Sequence, residues 1–177
     1  ISPSTMTGTE LYDASIPVFK NGMVTLKNIL NKAIDHFGPN SSEILNATLI
    51  EDFKPLIAHV HIASNIAKKS LTRMAGIPTD VWADNEDTPE KLIERCDRTI
   101  ELLDSILPGQ INGHEDDRVE MKLRQYNLEW SSREYLFRFG IPFFFFHVQT
   151  VYSILRMKGV TLGFEDFLLP SIGPHIV

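Results

Sequence analysis

One cysteine in 177 residues excludes an internal disulfide. Stability must therefore come from an ordinary packed core, for which 43% apolar residues suffice. Cys96 falls in phase with Leu92, Ile93, Ile100 and Leu103. It reads as a small buried hydrophobe and not as a nucleophile, since no histidine lies near it in sequence. A basic surplus is missing too: 17 Lys and Arg stand against 23 Asp and Glu, a formal charge of −6. That balance argues against nucleic acid, whose phosphates need a clustered basic face. Lys68-Lys69 is the nearest approach to a cluster and reads as a solvated helix face. No apolar run reaches the ~20 residues of a membrane span, and no signal-peptide pattern is present. We therefore expect a cytoplasmic protein with no membrane partner. Also absent are a glycine-rich phosphate loop, a nucleophile elbow and a paired CxxC motif. The acidic stretches Asp80–Asp87 and Glu115–Asp117 lack calcium-loop spacing and read as solvated loops.

What is present is helical periodicity. Ile16, Phe19, Met23, Leu26, Leu30, Ala33, Ile34 and Phe37 recur on one face of a helix expected over residues 12–37, capped by Asp13 or Ser15. Gly38-Pro39 ends it, and a short helical turn over 42–46 follows. A second helix is expected from residue 50 or 51 to 74, with Pro55 in its first turn and Gly76 closing it. Thr88-Pro89-Glu90 is a helix start, opening a third helix that runs to about Leu107. Over residues 118–130 the period changes. Val119, Met121 and Leu123, then Tyr126, Leu128 and Trp130, alternate with polar residues, which is the pattern of a hairpin. Ser131 or Ser132 then caps a fourth helix reaching Lys158. The tail 160–177 is expected to pack over the bundle without forming another helix. Residues 1–9 are expected to be a flexible N-terminus, followed by one domain over 10–177. The expected fold is all-α: an antiparallel four-helix bundle with a short β-ribbon between helices three and four.

Helical phase selects the inward polar groups. His147 shares a face with Phe143, Phe144, Val151 and Ile154. His59 lies with Leu56, Ile62, Ala63 and Ile66, and Asp52 precedes it by two turns. His61 is about 200° around from His59, so the two cannot serve one internal site. A site between helices two and four is thus expected from His59, His147 and a carboxylate, Asp52 or Asp13. The trio suits either proton transfer or a divalent metal. Phe143 to Phe146 encircle their helix, so part of the run must face the ribbon, the tail or a second copy of the chain. Phe143, Phe144, Tyr152, Trp130 and Tyr12 are the candidate lining of an aromatic ligand pocket.

Several segments carry a family resemblance: Leu11-Tyr-Asp-Ala-Ser-Ile-Pro-Val-Phe19, Phe53-Lys-Pro-Leu-Ile57, Ala63-Ser-Asn-Ile-Ala-Lys68, Leu71-Thr-Arg-Met-Ala-Gly76 and Gly113-His-Glu-Asp-Asp-Arg118. Phe143-Phe-Phe-Phe-His147, Tyr152-Ser-Ile-Leu-Arg156 and Gly159-Val-Thr-Leu-Gly-Phe-Glu-Asp-Phe167 continue it in order. Together they resemble the DUF1993 proteins, a group similar to the DinB/YfiT-like metalloenzyme superfamily. The resemblance implies an up-and-down helical bundle, often dimeric. It also implies a divalent-metal site of three histidines, one on the second helix and a His-x-x-x-His pair on the fourth. His59 matches the first and His147 one of the pair. Phe143 and Val151 stand at the four-residue spacings where a third histidine belongs.

Three functions follow. The first is a metal-independent acid/base enzyme of isomerase or cyclase type, acting on a small hydrophobic molecule with His147, His59 and Asp52. The second is a degenerate metal enzyme holding Zn or Ni through His59, His147 and Asp13. The third is a non-catalytic binding protein, dimeric through its fourth helix. The first and third need no cofactor.

Overall fold

The computed structural model describes residues 10–176. The stretch expected to be flexible, residues 1–9, lies outside them, as does residue 177. Helix α1 (Leu11–Phe37) leads into a 3-10 segment (Gly38–Asn46). Helices α2 (Leu56–Ala75) and α3 (Pro89–Asp104) and a single turn, α4 (Pro108–Ile111), follow. A hairpin, β1 (Arg118–Leu123) and β2 (Tyr126–Ser131), precedes the last long helical stretch. That stretch is a turn α5 (Ser132–Tyr135), a π-turn over Leu136–Gly140 and α6 (Ile141–Met157). The tail carries α7 (Phe164–Ile172) and a closing 3-10 turn (Gly173–His175).

The four long helices make the bundle, with α1 against α3 and α6, and α2 against α6 and α3. The stripes expected from periodicity are the ones buried, among them Phe19, Met23, Leu26, Leu30, Leu71, Leu92, Leu103, Val151 and Ile154. Cys96 is fully buried, and burial pushes its thiol up to about 12. It is therefore protonated and inert at neutral pH. Between α1 and α6 the Phe144 ring packs directly on the backbone at Gly22. Phe144 meets Phe19 edge-on at 5.1 Å between ring centroids. A Cβ built on Gly22 would lie 2.2 Å from the Phe144 ring.

Two starts differ from expectation. Helix α1 begins at Leu11, so neither Asp13 nor Ser15 caps it, and the Ser15 hydroxyl instead donates to Leu11 O at 2.6 Å. Helix α2 begins at Leu56, with Pro55 as its extended N-cap. Proline disfavours helical geometry in the residue before it. Residues 50–53 instead form a turn closed by Phe53 N–H on Ile50 O at 3.1 Å. The α2 C-terminus closes as expected, on Gly76 at φ +66°, with its N–H on Thr72 O.

The hairpin pairs Val119 with Trp130 and Leu123 with Tyr126 across a two-residue turn, in which Arg124 adopts φ +53°. Ser131 and Glu134 then form a reciprocal capping box. Pro142 lacks the N–H that would bond back to Arg138, and the π-turn falls in that gap. The tail is helical after all. Asp166 accepts from Gly163 N–H at 2.8 Å, which starts α7. Lys32 pairs with Asp166 at 2.5 Å, which holds α7 on α1. Phe167 then packs edge-on against Tyr152. Among the described residues no helix is long and apolar enough to cross a membrane.

Candidate functional site

His59 on α2 and His147 on α6 face each other in the bundle interior, 1% and 3% exposed. Their Nδ1 atoms are 2.7 Å apart, a direct hydrogen bond. The second nitrogen of His59 fixes the protons. Its Nε2 is 3.1 Å from Lys54 O, and a carbonyl only accepts, so His59 carries its proton on Nε2. Neutral His59 then offers a bare Nδ1, and His147 must donate from Nδ1. That leaves His147 Nε2 as a lone pair. It is buried and has no hydrogen-bond partner among the described residues.

Both rings are held neutral. Burial, then the neighbouring His59, then the Lys54 charge lower His147 to about 4. Burial lowers His59 too, opposed by its bond to Lys54 O. Around the pair stands an aromatic wall. Phe53 stacks on His59 at 5.2 Å, while Phe143 and Phe146 meet His147 edge-on at 4.6 and 5.1 Å. Phe146 is half exposed.

The carboxylates do not join this pair. Asp52 is exposed on the turn before α2, because Pro55 removed the helical turns that would have put it in phase with His59. Asp13 is exposed on α1. No three His, Cys, Asp or Glu side chains among the described residues could hold one metal ion. Three of the four imidazole nitrogens are already committed, two to each other and one to Lys54 O. The residues present thus do not fit the divalent-metal centre that the resemblance implies.

The five aromatic residues expected to line one pocket are dispersed. Phe144 is fully buried against Phe19. Tyr152 lies under α7, its hydroxyl 3.4 Å from Leu162 O. Trp130 stacks on Phe139 beneath the hairpin. The Tyr12 backbone N–H donates to Asn112 Oδ1, beyond the far end of α3. Phe143 alone of the five lines a cleft beside the histidines. That cleft, about 230 Å³, lies between α2, β1 and α6, lined by Ile62, Ile66, Lys69, Arg73, Met121 and Phe143, among others.

A second polar cluster was not foreseen. Arg95, 3% exposed, donates to Ser64 Oγ at 2.6 Å, to Ala83 O and to both Glu86 oxygens, and pairs with Asp84 at 2.8 Å. His61 Nε2 lies 2.7 Å from Glu86 Oε2, an ion-pair contact without hydrogen-bond alignment. This nitrogen too lacks a hydrogen bond but, unlike His147 Nε2, it faces a carboxylate. Lys68 is buried, not solvated: its ammonium donates to Asp80 O at 2.6 Å and lies over the Trp82 ring at 4.3 Å. The acidic stretch from Asp80 is therefore folded back and docked on α2 and α3. Arg95 sits between Leu92 and Thr99 on the buried stripe of α3, a signal legible in the sequence.

No curated protein matches the sequence. The crystal structure of a DinB family member protein from Shewanella denitrificans matches with a TM-score of 0.77 at 26% identity, over 89% of this chain and 91% of that one. The fold is thus that of a DinB family member. The family model DUF1993, a domain of unknown function, matches residues 11–168, and the chain belongs to that family.

Proposed function

We propose that this bundle binds a small, largely apolar molecule carrying one hydrogen-bond donor, with His147 Nε2 as the acceptor that orients it. The observation behind this reading is the unpartnered nitrogen. A buried acceptor without a partner costs roughly 1–3 kcal/mol, and apolar side chains at positions 59 and 147 together would avoid that cost. Buried polar groups left open in this way mark places where something else supplies the partner. The surroundings set the rest of the ligand. Phe53, Phe143 and Phe146 present apolar ring surface around the pair. The ligand reaches the nitrogen by displacing Phe146.

Basicity favours binding over proton abstraction. An effective general base has a pKa near the working pH. His147 lies at about 4, too weak a base to take a proton from a weakly acidic group. It remains a neutral acceptor throughout the neutral range. His59 acts as the positioning residue: its Nδ1 holds the His147 proton on Nδ1 and so keeps Nε2 open.

The test is a titration of nitrogen-15 histidine-labelled protein with p-cresol, using toluene as the control of matching shape. p-Cresol is expected to move the His147 Nε2 resonance saturably, toluene to leave it in place, and His147→Phe to abolish p-cresol binding. Saturating p-cresol with no response at that nitrogen contradicts the proposal.

A further inference from the structure

The cleft on the other side of Phe143 has a chemistry of its own. Ile62, Asn65, Ile66, Lys69 and Arg73 reach it from one stripe of α2, at spacings of three and four residues. Phe139 and Phe143, one turn apart, close it from the α6 side, and Met121 and Leu123 from β1. The floor is apolar. The rim carries Lys69, Arg73 and Lys122 and no carboxylate.

Some exposed cations on this molecule are paired, Lys20 with Asp104, Lys27 with Asp97 and Lys91 with Asp87. Others, such as Lys54, Arg133 and Lys158, stand on the surface without a carboxylate among the described residues. This cleft gathers three cations on one rim around an apolar floor. Among the described residues no carboxylate pairs with Lys69, Arg73 or Lys122. Asp84, which touches Asn65, is held by Arg95. Arg73 uses one nitrogen on the Tyr135 hydroxyl at 3.1 Å, and its fork has further donors. In a chain of net charge −6 this is a local reversal of sign over an apolar floor.

We infer that the α2–β1–α6 cleft binds a small amphipathic anion, a monocarboxylate with an unbranched or aromatic apolar body. The carboxylate sits at Lys69 and Arg73 and the body lies on Ile62, Ile66 and Phe143. A volume of about 230 Å³ holds roughly eight non-hydrogen atoms, counting about 30 Å³ for each as for water. The site does not depend on the open nitrogen of His147, which lies behind Phe143.

Hexanoate is the probe, with hexanamide as its uncharged counterpart, followed by methyl resonances of Met121 and Leu123. Hexanoate is expected to shift both saturably with a millimolar Kd, and hexanamide to bind more weakly. Lys69→Gln is expected to raise the hexanoate Kd about threefold to fivefold, the size of one exposed ion pair. Lys91→Gln makes the same charge change on α3 and is expected to leave the Kd alone. The inference is overturned by any of three results. These are no saturable shift at Met121 and Leu123, equal affinity for hexanoate and hexanamide, or equal effects of Lys69→Gln and Lys91→Gln.

Discussion

His59 and His61 are two residues apart on α2, both buried, and they live in opposite surroundings. His61 faces a network in which charges answer one another: Glu86 lies against it, and Arg95 holds Glu86, Asp84, Ser64 and the Ala83 carbonyl. His59 faces a single imidazole inside an aromatic wall, and the chain of bonds stops at an open lone pair on His147. The first region fastens a loop to the bundle. The second leaves a polar group open at an energetic cost. His61 Nε2 makes no well-aligned hydrogen bond either, but it faces the Glu86 carboxylate at 2.7 Å and is answered by folding alone. His147 Nε2 has neither a hydrogen-bond nor a charge partner among the described residues and asks for a ligand.

The sharpest way to break this contrast is to cut the closed network. Arg95→Met leaves Glu86 and Asp84 without their cation, and Glu86 is mostly buried. A loss of about 3–5 kcal/mol is expected, read by urea unfolding. Release of the loop 80–87 is expected with it, seen as faster proteolysis there. A loss below 1 kcal/mol would make the network no fastening at all.

Acid acts next, and chiefly on the open pair. His147 sits at about 4 when folded against 6.5 in the free residue, so the unfolded chain binds the proton first as pH falls. Its contribution is complete above about pH 6.5 and is lost as pH falls toward 4. It amounts to about 3 kcal/mol for an isolated group. His59 and His61 are lowered as well and act with the same sign. Unfolding measured from pH 7 to 4 is expected to show a slope that His147→Asn reduces. A wild-type slope unchanged by that variant would remove the buried neutral histidine from the account.

A smaller effect asks whether the open nitrogen is only slack in the position of α6. Gly22→Ala drives a methyl into Phe144. Overpacking of this kind costs about 1–3 kcal/mol, outweighing the higher helix propensity of alanine. A neutral result would mean that α6 shifts freely.

The smallest effect distinguishes open from closed most directly. His147→Phe removes the lone pair without a partner but orphans His59 Nδ1, so stability is expected to change little. His59→Leu combined with His147→Phe removes both polar groups and is expected to be more stable than the single variant by about 1 kcal/mol. A double variant less stable than the single one would show that the pair contributes to folding.

Much of this architecture was legible in the sequence, because the long helices repeat apolar residues over many turns. The same phase argument placed His59 and His147 inward and set His61 on another face. Three features escaped for physical reasons. Asp52 was assigned to the His59 face on the assumption of a helix starting before Pro55, yet proline moved the start to Leu56. Helix α7 is short, and its stability comes from Lys32, Tyr152 and the Asp166 cap, contacts that no local period encodes. Lys68 read as a surface charge because the loop carbonyl that takes its ammonium, at Asp80, lies 12 residues away along the chain, beyond the reach of any helical period. In the site, pairing the two histidines was within reach of sequence, whereas the direction of their shared proton needed the Lys54 carbonyl.

The central claim is that His147 is neutral with a bare Nε2, and long-range proton–nitrogen-15 correlation of labelled histidines at pH 7 tests it directly. The account predicts His59 protonated on Nε2, His147 protonated on Nδ1, and the His147 Nε2 resonance in the range of a nitrogen without a proton. A proton on His147 Nε2, in either the neutral or the charged ring, would contradict it.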